Sequence, residues 1–67
     1  MKVFMYGEVI VNLEAVEKVE TSLPDKKSGT QSIWFHLRND DSTRITVPTN
    51  ETKTILKIIY DEMIRED

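Results

Sequence analysis

The 67-residue chain contains no cysteine. This absence excludes disulfide bonds, thiolate metal sites and a thiol nucleophile, which are common ways to stabilise or activate so small a protein. A chain without cysteine suits a reducing compartment, and we expect a cytoplasmic protein. The N-terminal segment becomes acidic at Glu8, which is too soon for a signal peptide.

Long hydrophobic runs and basic clusters are also missing. No apolar run approaches the roughly 20 residues of a membrane-spanning helix, so we expect no membrane partner. Nine basic residues are scattered among twelve acidic ones, for a net charge of -3. Non-specific nucleic-acid binding requires clustered lysine and arginine that neutralise phosphates. The charge balance therefore argues against a nucleic-acid partner.

Turn-forming residues are few, with two glycines and two prolines, and 39% of the residues are hydrophobic. These values indicate one folded domain spanning residues 1–67. Its central feature is a predicted hairpin at 33–47, where apolar residues alternate with polar or aromatic ones on both sides of a polar tip. Further β-patterned runs cover 3–12 and 16–22. Between them, Asn12 is placed to cap a single helical turn.

A helix is predicted from about Glu51 to Arg65, after Pro48 ends the last strand, with Thr49 or Asn50 as its cap. Its main apolar stripe comprises Thr52, Ile55, Leu56, Ile59 and Met63. The predicted fold class is therefore α+β, an antiparallel four- or five-stranded sheet with one C-terminal helix packed on one face.

The order of elements resembles a recurrent pattern of very small bacterial and phage proteins. The shared features are the run from Val11 to Glu20 with its Asn12-Leu13-Glu14 step, the strand 44–48 and the acid-started helix. In these features the chain is similar to the small flagellar FlbD-like proteins. The resemblance implies a non-catalytic accessory protein, and we expect a protein-binding or regulatory module of the kind that phages and mobile elements encode.

Candidate residues for catalysis or metal binding are scarce. His36 is the only histidine, and a general base needs a partner and a pocket that the pattern does not supply. The acidic tip at 39–42 lacks the spacing of a calcium-binding loop. We therefore expect no enzyme activity, no catalytic residue, no metal site and no cofactor.

Trp34 and His36 point away from the helix if Phe35 faces it. Phe4 and Tyr6 join them if the first strand turns Val3 and Met5 inward. Large aromatics on an open sheet face are enriched at protein interfaces. Two alternatives remain open: the aromatics belong to the core, or they stack single-stranded nucleic acid with help from Lys18, Arg38 and Arg44.

Self-association is the last expectation, most simply as a two-fold homodimer. The core of so short a chain is small, and Ile58, Tyr60 and Ile64 extend the apolar arc of the helix past the stripe. The contact surface between the two subunits is then formed by these helix residues or by the sheet face that carries Trp34. Unpaired sheet edges can also pair across a two-fold axis. The full predicted interaction surface is Trp34, His36, Phe4, Tyr6, Ile58, Tyr60 and Ile64.

Overall fold

The computed structural model describes residues 2–65. The described chain forms five strands, one α-helix and two short 3-10 turns. The strands are β1 (Val3–Tyr6), β2 (Val9–Asn12), β3 (Val16–Thr21), β4 (Thr30–Leu37) and β5 (Ser42–Pro48), the helix is α1 (Thr52–Ile64), and the 3-10 turns are Leu13–Ala15 and Thr49–Glu51. All strand pairs are antiparallel, so the predicted α+β class is confirmed.

The five strands form two sheets and not the single sheet that the sequence predicted. β1 and β2 pair as a hairpin, while β3, β4 and β5 form a sheet in that order. The first hairpin turns at Gly7, whose φ of 59° is a conformation that glycine adopts without strain. Asn12 accepts a hydrogen bond from the Glu14 amide at 3.1 Å, which confirms the predicted cap. The 3-10 turn that follows interrupts the strand geometry before β3.

The central hairpin is confirmed and extends further than the sequence indicated, from Thr30 to Pro48. Ile33 lies opposite Ile45, and Phe35 lies opposite Val19 of β3. The tip passes through Asp40, which has a φ of 68°. Aspartate is one of the few residues besides glycine that adopt this left-handed conformation, because its short side chain bonds locally.

A bulge in β3 sets which side chains face inward. The register with β4 shifts between Val16 and Lys18, so two residues of β3 span one position of β4. Simple alternation would place Val16 and Val19 on opposite faces. The extra residue of the bulge places both valines on the same face, and both pack toward the core.

The core lies where both sheets meet the helix. Its buried members are Phe4, Val11, Leu13, Val16, Ile33, Phe35, Ile45, Val47, Ile55 and Ile59. The rings of Phe4 and Phe35 lie 6.1 Å apart, so this aromatic contact joins the two sheets. The predicted stripe of α1 is confirmed: Thr52, Ile55 and Ile59 are buried, and Leu56 and Met63 are partly buried against the core.

The expected exposure of Phe4 and Tyr6 is wrong. Phe4 is only 8% exposed and Tyr6 packs partly against the core, whereas Met5 is 69% exposed. The reason is that the chain turns back at Gly7 to form a hairpin, and one face of this hairpin packs on the core. Burying two aromatic rings removes more apolar surface from water than burying Val3 and Met5.

The helix start also differs from the prediction, because neither Thr49 nor Asn50 provides a side-chain cap. Thr52 Oγ1 instead donates to Gln31 Oε1 at 2.9 Å, which ties the helix to β4. The Pro48 carbonyl lies 3.3 Å from the same hydroxyl. Within residues 2–65, the buried Thr49 Oγ1 has no hydrogen-bond partner.

We expect Phe35→Ala to lower the free energy of unfolding by about 3–5 kcal/mol. The ring is fully buried and joins the sheets, and a core of this size supplies only about 3–5 kcal/mol in total. Urea unfolding followed by circular dichroism measures the loss. Trp34→Ala, on the neighbouring residue of the opposite face, is the matched control and should keep a cooperative transition. Equal midpoints for the two variants would contradict this assignment of faces.

Two threonines at the helix start should respond to substitution by valine with opposite changes in stability. Thr49→Val should raise the free energy of unfolding by about 1 kcal/mol, because a buried hydroxyl without a partner is replaced by a methyl group of similar shape. Thr52→Val should lower it by about 1–3 kcal/mol, because Gln31 then loses its donor. Thermal melts of both variants test this, and a shift in the same direction for both would disprove it.

Candidate functional site

The candidate site is the face of the β3-β4-β5 sheet that points away from the helix, here called the outer face. Two rows of side chains cross it. Lys18, His36 and Ser42 lie opposite one another in one row, and Glu20, Trp34 and Arg44 lie opposite one another in the next. Trp34 thus stands on the central strand between an acid and a base.

Arg44 covers part of the Trp34 ring. Its guanidinium carbon lies 5.4 Å from the ring centroid, within the range of a cation–π contact worth about 0.5–1 kcal/mol at an exposed site. Trp34 is of intermediate burial, so part of the ring remains accessible. The contact with Arg44 restrains the orientation of the indole.

Glu20 organises the charged groups around Trp34. Its Oε1 lies 2.8 Å from His36 Nε2 and 3.4 Å from Lys18 Nζ. All three side chains are between 39% and 63% exposed, so water screens these pairs and they add little stability. Their effect is to hold His36 beside Glu20 and to balance the positive charge of Lys18.

A shallow depression of about 440 Å³ opens beside the Trp34 ring. Its lining is Glu20, Thr21, Ser22, Trp34, His36 and Ser42. Glu20, His36 and Ser42 are the residue types of a nucleophilic triad, but in the described part of the chain no hydrogen bond joins His36 to Ser42. The depression is also open to water. The arrangement can hold an apolar side chain against the indole.

The structure divides the seven predicted surface residues among separate places. Trp34 and His36 lie together on the outer face, as predicted, whereas Phe4 and Tyr6 belong to the core side. Ile58, Tyr60 and Ile64 are exposed by 52%, 61% and 58%. At 100° per residue, Ile64 lies about 40° from Tyr60 around the helix, but Ile58 lies about 160° away. Ile58 therefore belongs to a different flank of α1.

Two surfaces were missed from the sequence. An apolar groove, here called the β3–α1 groove, runs between the edge strand and the helix and is lined by Val19, Leu56, Ile59, Tyr60 and Met63. Met5 and Ile10 also form an exposed pair, 69% and 68% exposed, opposite each other in the first hairpin. This pair could have been predicted from Gly7, because a hairpin turn there places Met5 opposite Ile10.

No protein-family model, curated protein or solved structure matches the chain. The similarity to FlbD-like proteins therefore stays a prediction. Across residues 2–65, the structure contains no helix long and apolar enough to cross a membrane. In the same range no group of three or more histidine, aspartate or glutamate side chains is placed to hold a metal ion.

Arg44→Ala should expose the Trp34 ring. Removing the guanidinium that covers the indole should raise acrylamide quenching of the single tryptophan and shift its emission to longer wavelength. The free energy of unfolding should fall by about 0.5–1 kcal/mol. Arg38→Ala, at the exposed hairpin tip, is the control with the same change of charge. The contact is disproved if both variants quench like the wild type.

Proposed function

We propose that this chain is a small non-catalytic protein-interaction or regulatory module that binds its partner through the outer face. The observation that supports this most directly is Trp34, a half-buried aromatic residue at the centre of a polar sheet face and beside an open depression. Core packing does not explain the ring, because Ile33 and Phe35 on the same strand fill the opposite face.

The chemistry of the outer face favours a protein partner. Tryptophan and arginine are the residues most enriched among those that dominate binding energy at protein interfaces, and here they are in contact. Trp34 lies on the central strand of the sheet and Arg44 restrains its ring, so less conformational entropy is lost on binding. A suitable partner offers an apolar side chain to the depression and a carboxylate to Arg44.

Single-stranded nucleic acid suits this face less well. Arg44 already lies over the Trp34 ring on which a base would stack. Of the other cationic candidates, Lys18 lies 3.4 Å from the Glu20 carboxylate, which repels phosphate, and Arg38 lies at the exposed hairpin tip. The arrangement therefore lacks the free positive groove that accompanies stacking residues in proteins that bind single strands.

The proposal includes a cytoplasmic location, which the cysteine-free composition supports. It also includes a bacterial or phage origin, for which the support is the resemblance in element order to small accessory proteins. A flagellar role is not part of it.

Trp34→Ala should weaken binding of the partner at least about tenfold while the domain stays folded. The partner is first captured from the producing cell with the wild-type chain as bait. Its affinity for purified wild-type and variant chains is then measured by calorimetry. Ile58→Ala, which removes another exposed large side chain on the helix, is the control and should bind as the wild type. A partner that binds the Trp34 variant with unchanged affinity would refute the proposed site.

A further inference from the structure

The free edge of β3 is the basis of this inference. Within residues 2–65, β3 pairs with β4 alone, so its other edge carries backbone groups without a strand partner. The Ser22 amide donates to the Ser32 carbonyl at 3.0 Å, which makes this a hydrogen-bonded pair of the ladder. Bonded and non-bonded pairs alternate in an antiparallel ladder. The backbone groups of Glu20 and Lys18 therefore point toward β4, and those of Val19 and Thr21 point toward the free edge.

The β3–α1 groove lies along this same edge. Val19 forms one wall, and Leu56, Tyr60 and Met63 of α1 form the other. Tyr60 is 61% exposed although it borders an apolar groove. A strand added to the edge would therefore bond to β3 through its backbone and cover apolar side chains at the same time.

We propose that the occupant of this edge is a second copy of the chain, whose β3 pairs antiparallel with the first across a two-fold axis. In such a pair, two residues opposite each other have their backbone amide and carbonyl groups both pointing toward the partner strand or both pointing away from it. The axis can then pass through Lys18, Val19 or Glu20, since axes nearer the ends of β3 pair fewer of its residues.

Charge selects among the three positions of the axis. An axis at Lys18 sets that lysine against Lys18 of the partner subunit, and an axis at Glu20 sets two carboxylates against each other. Like charges directly opposite each other are destabilising. An axis at Val19 places Lys18 opposite the partner's Glu20, and the symmetry repeats this ion pair. Only this register is self-complementary in charge.

The same register fits the backbone and the groove. Val19 then exchanges two hydrogen bonds with the partner's Val19, because its amide and carbonyl point toward the free edge. Tyr60 and the partner's Tyr60 approach on the helix side. β5, the other edge of the sheet, carries Arg44 as its only charge and ends in Pro48, so it offers no comparable pairing.

Pairing of β3 would create one six-stranded sheet. Both outer faces then lie on the same side of it, so two Trp34 sites are presented about the two-fold axis. The pairing does not depend on the outer face binding a partner. It is measured on the purified chain alone, so it can fail while the proposed function holds, and the reverse is also true.

Charge-swap variants test the register by sedimentation equilibrium. Lys18→Glu and Glu20→Lys each replace two attractive pairs by two repulsive ones, and each should weaken dimerisation about tenfold or more. The double variant restores opposite charges across the seam and should recover dimerisation. Lys26→Glu and Glu8→Lys make the same changes of net charge at exposed sites outside β3, and should dimerise like the wild type. Circular dichroism confirms that each variant is folded.

An independent measurement uses a mixture of isotope-labelled and unlabelled wild-type chains. In the proposed register, Lys18 of one subunit lies opposite Glu20 of the partner subunit. The two residues form a non-hydrogen-bonded pair, whose Cα atoms are about 4.5 Å apart. An intermolecular contact between their α-protons should therefore appear in the nuclear Overhauser spectrum. A mass of 7.8 kDa up to millimolar concentration would overturn the proposal and leave the edge open to a strand of another protein. A dimer that is insensitive to both single swaps would overturn it as well.

Discussion

The contact between Phe4 and Phe35 is the interaction on which the rest of the structure depends. The two sheets share no strand pairing in the described chain, so side-chain packing must join them. The ring centroids lie 6.1 Å apart with the planes tilted by 37°, which is within contact distance for two aromatic rings. Around this contact, α1 and the 3-10 turn at Leu13 close the core.

This packing also determines which surfaces remain for function. The helix covers the inner face of the three-stranded sheet, and its outer face is left with charged residues around Trp34. Within residues 2–65 no strand covers the outer edge of β3, which lies beside an apolar groove. A small core, a half-buried aromatic residue on the outer face and an uncovered edge are thus consequences of the small size of the described domain.

Much of the candidate site could be predicted from the sequence. Strict alternation in β4 placed Phe35 inward and Trp34 outward, because successive side chains of a strand point to opposite faces. The neighbours of Trp34 could not be predicted with the same rule. Whether Glu20 or Val19 lies opposite it depends on the bulge after Val16, and a shift of one residue exchanges the faces of a strand. Phe4 was misplaced because one long bent strand and a hairpin at Gly7 produce similar local patterns.

The sequence by itself determined the α+β class, the central hairpin, the buried stripe of α1 and the cap at Asn12. These features depend on contacts between residues that are near in sequence, and on the periods of strand and helix. Only the tertiary structure decided that the strands form two sheets, that Phe4 packs on Phe35 and that the groove lies along β3. These outcomes depend on which of several apolar faces are buried together. The total apolar surface removed from water decides which faces are buried together. This total is a property of the whole chain and not of any local segment.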